Sequence, residues 1–364
     1  MALLGVLPAC GFGNSDATDA GPGGEAVVEI DASFCYGTFE RVCFPAAPTD
    51  PVLIAVTENI DTANNARCNP TASLAEHYCV IAGPSFTISP SATLRAYGSK
   101  PLILISTTAM FDLAGVIDVS SNVLDPNTGA GTSTAECAAG TAATMNSGGF
   151  GGSLSGQGGD GKQIDGAAGA APLKLASFPG QLRAGCAGSP GAGMTGGAGG
   201  AGGGAVAIIA PTIQMAGHID ASGAGGHGGG PNRCGGGGGG SGGMVVLESP
   251  TITGVGAFAM IYANGGGGGQ GGENKVAGDG ASGQDPPSPS QAALGGKNGT
   301  TNSSPTTGGG GGAAGAAGNS VKDGDDAVGN ANGEGGGGGG GGAAGFVRAH
   351  GATNVTIAPT SDPL

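Results

Sequence analysis

Three continuous apolar runs recur along the chain, and each is followed by a second, more mixed strand-like pattern. Pro101-Leu102-Ile103-Leu104-Ile105 precedes Leu113-Ala114-Gly115-Val116-Ile117-Asp118-Val119-Ser120. Ala205-Val206-Ala207-Ile208-Ile209 precedes Met215-Ala216-Gly217-His218-Ile219-Asp220-Ala221-Ser222. Met244-Val245-Val246-Leu247 precedes Phe258-Ala259-Met260-Ile261-Tyr262-Ala263-Asn264-Gly265, and a partial fourth copy runs from Phe346 to Ile357. Such copies predict one strand pair repeated along a stack, with glycine-rich excursions leaving the same corner each time.

Upstream, Val27-Val28-Glu29-Ile30, Val52 to Thr57, Tyr78 to Ala82, Phe86 to Ser89 and Thr93 to Tyr97 are short strand patterns divided by Ser-Pro and Tyr-Gly-Ser turn signals. No segment carries a convincing helical period, so the chain reads as all-β. Its apolar runs are continuous rather than strictly alternating, which points to burial on both faces, as in parallel strands. The expectation is a right-handed parallel β-helix-like solenoid over residues 26–364, with an antiparallel sandwich as the alternative. The glycine-rich insertions span residues 122–203, 223–243 and 265–345. Two outcomes are open for them: disordered loops, or packed extended helices of polyglycine II type, with three residues per turn and close backbone contact. The Gly196-Gly197-Ala198-Gly199-Gly200-Ala201 step suits the second outcome, while residues 284–307 are expected to be disordered.

Composition sharpens this picture. Glycine supplies 85 of 364 residues, more than three times the usual share of about 7%. Aromatic residues make up 4% and tryptophan is absent, so the core must come from the β-branched and leucine-rich runs. With 26 acidic against 12 basic residues the formal net charge is −14. That balance disfavours nucleic acid as a partner, because its binding needs clustered Lys and Arg, and it equally disfavours docking onto anionic membrane.

Eight cysteines in a glycine-rich chain with only 10% charged residues fit an oxidising compartment. Cys35 with Cys43 and Cys68 with Cys79 are spaced for small loops. Cys137, Cys186 and Cys234 lie in the excursions, leaving one of these seven odd and the pairing open. No Cys-x-x-Cys pair or His at ligand spacing supports zinc, and no cofactor is expected. Leu7-Pro8-Ala9-Cys10 matches a lipoprotein signal box, giving residues 1–10 as signal, Cys10 as the lipidated residue and residues 11–25 as a flexible tether to the outer membrane. Pro8 and the missing positive charge before the apolar stretch depart from that pattern.

Residues 82–96, Pro101-Leu102-Ile103-Leu104, residues 115–121, residues 182–188, residues 217–223 and residues 239–245 together resemble glycine-rich, PGRS-like surface proteins encoded in many copies by soil-dwelling gliding bacteria. The resemblance covers about residues 78–350 and its motifs are architectural. It implies a cell-envelope location and a β-helical core bearing glycine loops, and it implies no activity.

Motifs that carry chemistry are sparse. Gly156 to Lys162 has P-loop spacing, but Gln163 replaces the magnesium-binding hydroxyl and no strand-then-helix context exists. Gly239-Gly240-Ser241-Gly242-Gly243 formally fits a nucleophile elbow, yet a serine hydrolase also needs a positioned histidine, and only His77, His218, His227 and His350 exist. Asp118 and Asp220 occupy equivalent positions in successive copies, a carboxylate ladder that would hold calcium or act on a sugar. Against this, the third copy places Tyr262 or Asn264 there, and no arginine or lysine accompanies the pair in sequence. Turn chemistry is the simpler account: each Asp precedes a Ser by two residues and caps a strand. Asp323-Gly324-Asp325-Asp326 lacks the remaining ligands of a calcium loop. The Asn298, Asn302 and Asn354 sites fit the glycosylation pattern only formally.

The sequence therefore points to a cell-envelope structural or adhesive lipoprotein with no catalytic residue, meeting surface glycans or like chains. The alternatives are a carbohydrate-active enzyme using Asp118 and Asp220, or a glycan- or ice-binding module.

Overall fold

A computed structural model describes residues 34–125, 127–132, 137–254, 260–274, 278–287, 291–297 and 335–350. Cys10, the signal and tether segments, residues 323–326, Asn298, Asn302 and Asn354 lie outside the described residues.

All regular structure among the described residues is β. An antiparallel pair, β1 (Phe34–Tyr36) and β2 (Val42–Phe44), is joined across its centre by the Cys35–Cys43 disulfide. The other strands form three five-stranded parallel sheets. The first sheet contains β3 (Val52–Ile54), β6 (Phe86–Ile88), β9 (Met110–Leu113), β12 (Thr212–Met215) and β15 (Thr251–Gly254). The second contains β4 (Glu58–Asp61), β7 (Thr93–Tyr97), β10 (Val116–Asp118), β13 (His218–Asp220) and β16 (Met260–Tyr262). The third contains β5 (Cys79–Gly83), β8 (Leu102–Ser106), β11 (Ala205–Ile209), β14 (Met244–Glu248) and β17 (Phe346–His350). Strands three apart in chain order pair in parallel, so every copy adds one strand to each sheet.

The expected right-handed β-helix-like solenoid is corrected by this arrangement. What forms is three separate parallel sheets and an antiparallel pair, without a closed helix. The physical reason lies in the excursions. Between β10 and β11, β13 and β14, and β16 and β17, the chain departs for tens of residues, and the described parts of these excursions bond to one another. No continuous coil closes the sheets there. The antiparallel sandwich is overturned as well, since each of the larger sheets is parallel throughout.

Burial explains the two kinds of strand pattern. In the first two sheets inward residues alternate with outward ones, as in β9 and β12. Inward residues form columns across the copies, such as Val52, Phe86, Phe111, Ile213 and Ile252, with the Phe86 and Phe111 rings stacked 4.7 Å apart. The third sheet is buried on both faces. Leu102, Leu104, Val206, Ile208, Val245 and Leu247 face the core between the sheets. Ile103, Ile105, Ala207, Ile209 and Val246 face a second core with Val42, Phe44, Tyr78, Leu154 and Leu182. Double-sided burial removes the alternation, and the continuous runs of the sequence are the strands of this sheet.

The excursions are ordered wherever they are described. Backbone hydrogen bonds link them with a period of three residues. In the segment 234–243, Gly235, Gly238 and Ser241 donate to Ala192, Ser189 and Cys186. Gly236, Gly239 and Gly242 donate to Gly337, Gly340 and Ala343, and Gly237, Gly240 and Gly243 to His227, Ala224 and Ala221. Its carbonyls accept from Gly149 and Gly152, from Gly197, Gly200 and Gly203, and from Gly266, Gly269 and Gly272. Donating to three neighbours and accepting from three more, it sits at the centre of a hexagonal array of extended chains with a three-residue repeat. Glycine serves close approach here and not unusual backbone angles. A Cβ on Gly238 would lie 1.8 Å from the Phe150 carbonyl oxygen, and positive φ is confined among described glycines to Gly37, Gly98, Gly131 and Gly193. Part of the stretch 284–307 belongs to the array: Gln284 N–H donates to Leu294 O and Gly296 N–H to Gly268 O. Residues 288–290 and 298–307 lie outside the described residues.

Cys68 pairs with Cys79 and Cys137 with Cys186, while Cys234 is a buried free thiol that accepts hydrogen bonds from Thr195 N–H and Oγ1. Three disulfides mark an oxidising, non-cytoplasmic compartment. No helix among the described residues is long and apolar enough to cross a membrane.

Candidate functional site

The outward face of the second sheet gathers most of the ionisable groups that the copies align. Parallel register places Asn59, Arg95, Asp118, Asp220 and Tyr262 in one row across β4, β7, β10, β13 and β16. The strands hold this row because their other residues, Leu94, Ile117, Ile219 and Ile261, are buried in the core, which leaves positions on either side facing outward. His218 stands two residues before Asp220 on the same face, its ring stacked on Tyr262 at 5.7 Å and 17°.

Asp118 and Asp220 are thus direct cross-strand neighbours. Their local bonds are those of strand-ending turns. Asp118 Oδ1 accepts from Ser120 N–H at 2.9 Å and from Ser120 Oγ at 2.7 Å, and Asp220 Oδ1 accepts from Ser222 N–H at 2.9 Å. The absence of a basic partner, expected from the sequence, is corrected. Arg95 Nη1 lies 2.6 Å from Asp118 Oδ2, and Arg95 Nη2 lies 2.8 Å from Asp125 Oδ2. Arg95 precedes Asp118 by one copy, so parallel pairing brings it alongside where linear proximity does not.

The two aspartates have different environments. Arg95 neutralises Asp118 directly. Asp220 has no such partner, and its pKa is pushed up to about 7, first by burial and then by the charge of Asp118, against the hydrogen bonds from Ser222. Burial lowers the His218 pKa, opposed by Asp118. Burial, Asp220 and Asp118 all raise that of the Tyr262 phenol. The row therefore holds a protonatable carboxyl, a paired carboxylate and a stacked imidazole–phenol pair on one surface. Such groups can exchange protons or hydrogen-bond a polyhydroxylated ligand. Beyond the row, Asp285 accepts hydrogen bonds from Val123 N–H and Gly225 N–H, tying together three separate segments. Its pKa is raised by burial.

Other sequence motifs are absorbed by the architecture. Gly158, Gly159 and Gly161 of the P-loop-like stretch are array residues, and Lys162 N–H donates to Gly338 O. Ser241 is fully buried, its Oγ accepting from Cys186 N–H and donating to Gly242 O. His227 is exposed on the array, His77 is exposed beside a cleft, and His350 lies in β17. Asn264 is buried, and Tyr262 occupies the third-copy position of the row. No cluster of three or more metal-ligating side chains occurs among the described residues. Comparison with protein-family models, with curated proteins and with solved structures finds no match.

Proposed function

We propose that this protein is a structural and adhesive component of the cell envelope, displayed outside the cytoplasm and held at the outer membrane by a lipid on Cys10. The observation that supports this reading is the hexagonal glycine array. An array whose central segment is buried on every side and bonded to six neighbours, three by donation and three by acceptance, resists deformation. Three disulfides brace the same body. Low charge and a surface of small side chains favour packing against like chains or glycans. The resemblance to glycine-rich, PGRS-like surface proteins points the same way. Expression of the gene with its upstream region, with and without Cys10→Ala, tests the placement. The expected result is membrane-bound, protease-accessible protein that the substitution releases; cytoplasmic protein in both cases would overturn it.

A second reading, a carbohydrate-active enzyme, is favoured by the raised carboxyl of Asp220 beside Asp118. General acid chemistry on a glycosidic bond needs a carboxyl that is protonated near neutrality. Release of reducing ends or unsaturated products from a polysaccharide, abolished in Asp220→Asn, would support it. Intact polysaccharide after prolonged incubation would remove it.

A further inference from the structure

A second polar site lies away from the sheet face, in a cleft of about 430 Å³, within the range of small-molecule sites. It is built from distant parts of the chain. The β1–β2 turn supplies Glu40, the turn before β5 supplies Leu74, His77 and Tyr78, and the segment entering the glycine array supplies Gln181 and Arg183. Disulfides hold two of these walls: Cys68–Cys79 beside Tyr78, and Cys137–Cys186, whose sulfurs lie 3.5 and 3.7 Å from Arg183 Nη2.

Glu40 is the informative residue. It is only 7% exposed, and its Oε1 accepts two hydrogen bonds, from Tyr78 Oη at 2.9 Å and from Leu182 N–H at 2.7 Å. These bonds fix the carboxylate plane. Oε2 has no hydrogen-bond partner among the described residues, in a residue that lines the cleft. A carboxylate held so, with one oxygen left to accept, is a preorganised acceptor for hydroxyl or ammonium donors. Charge decides between them. The cleft carries one carboxylate and one guanidinium, so it favours neither a cation nor an anion, although the chain as a whole has a net charge of −14. Gln181 and His77 add further polar groups, and Leu74 and Pro101 an apolar wall. A fixed acceptor, an amide and a hydrophobic side match a pyranose, which offers adjacent hydroxyls on its edge and C–H groups on its face.

We propose that this cleft binds a neutral sugar unit, with Glu40 Oε2 accepting from its hydroxyls. The proposal deepens the adhesive reading by naming the class of partner, and rests on it only for its biological setting. Fractionation of the Cys10→Ala variant tests that setting and leaves the cleft untouched.

The test uses the purified, disulfide-bonded full chain and saturation-transfer NMR. The probes are the methyl glycosides of glucose, galactose, mannose and N-acetylglucosamine, with choline and acetate as ionic probes. The expected result is transfer to at least one glycoside and to neither ion. Glu40→Gln keeps an oxygen for Tyr78 and Leu182, and places an amide where the acceptor stood. It should weaken binding about tenfold or more, as for loss of a charge-assisted hydrogen bond. Gln181→Ala removes an exposed side chain with no hydrogen bond among the described residues, so it decides the matter should Glu40→Gln fail to fold; a several-fold weakening is expected. Three results overturn the proposal: no transfer to any glycoside, transfer to either ion, or glycoside binding unchanged in folded Glu40→Gln or, where that variant does not fold, in Gln181→Ala.

Discussion

At Asp220 two effects act in one direction: burial disfavours the carboxylate, and so does the charge of Asp118 on the neighbouring strand. The consequence for stability has a definite sign. An aspartate in the unfolded chain titrates near about 3.9, whereas this one titrates at about 7 in the fold. The folded state binds the proton more tightly, so its contribution is fully present below the unfolded value and is lost as pH rises through that window. Asp220→Asn keeps an oxygen for Ser222 and carries no charge. It is expected to raise the melting temperature at and above neutrality and to change it little near pH 4, which thermal scans at the two pH values would check. Arg95 works in the opposite sense, pairing with both Asp118 and Asp125. Arg95→Ala should cost about 2 kcal/mol, the scale of charge-assisted hydrogen bonds in a partly buried setting. It should also raise the Asp220 pKa further, since the countercharge that opposes Asp118 is gone; urea unfolding and a carboxyl NMR titration read the two effects.

Within an element of the glycine array, composition reports position. Segment 235–240 is glycine throughout and buried throughout, because it has neighbours on every side. In 196–201 every third residue is alanine, and Ala198 is exposed while Gly197 and Gly200 are buried, as expected of a segment at the edge of the array. Substitutions should follow the same logic. At Gly238 a methyl group would overlap the Phe150 carbonyl; with backbone as the obstacle there is no side chain to move aside. Gly238→Ala is expected to cost about 3 kcal/mol or more, at the upper end of overpacking effects. Gly180 has nothing within 4 Å of a built Cβ and no positive φ. Gly180→Ala should therefore be neutral or stabilise by up to about 1 kcal/mol, by restricting the unfolded chain. Denaturant melts of the two variants compare directly.

Over the whole molecule the disulfides hold segments of very different separation. Cys137–Cys186 closes 49 residues, and Cys35–Cys43 only 8. Loop-closure entropy predicts about 4 kcal/mol for the first and about 2.5 for the second. Replacing each pair by serines should produce that order in equilibrium unfolding. The long bridge also joins the segment before the glycine array to its interior, and its sulfurs contact Arg183. Its loss should loosen the Glu40 cleft as well as lower stability.

Much of the organisation was legible in the amino-acid pattern. The continuous runs around Leu102, Val206 and Val245 marked strands buried on two faces, and the aligned Asp118 and Asp220 marked adjacent rungs. Their following serines marked strand-ending turns. Each is a local or copy-to-copy relation, written directly in spacing. The partnership of Arg95 with Asp118 was missed because it crosses from one copy to the next, where a search for nearby charges does not look. The pairing of Glu40 with Leu182 spans 142 residues and has no periodic signal at all. The repeat implies stacking and so a β-helix-like solenoid, yet repetition does not specify how the excursions rejoin the sheets. By itself, then, the sequence determined the copies, their parallel register and the all-β character, through alternation and burial. Tertiary structure alone decided which glycine segments lie side by side and how three sheets meet the array. The reason is physical: a hydrogen bond between two glycine backbones carries no side-chain label, so any such segment can pair with any other until packing selects its neighbours.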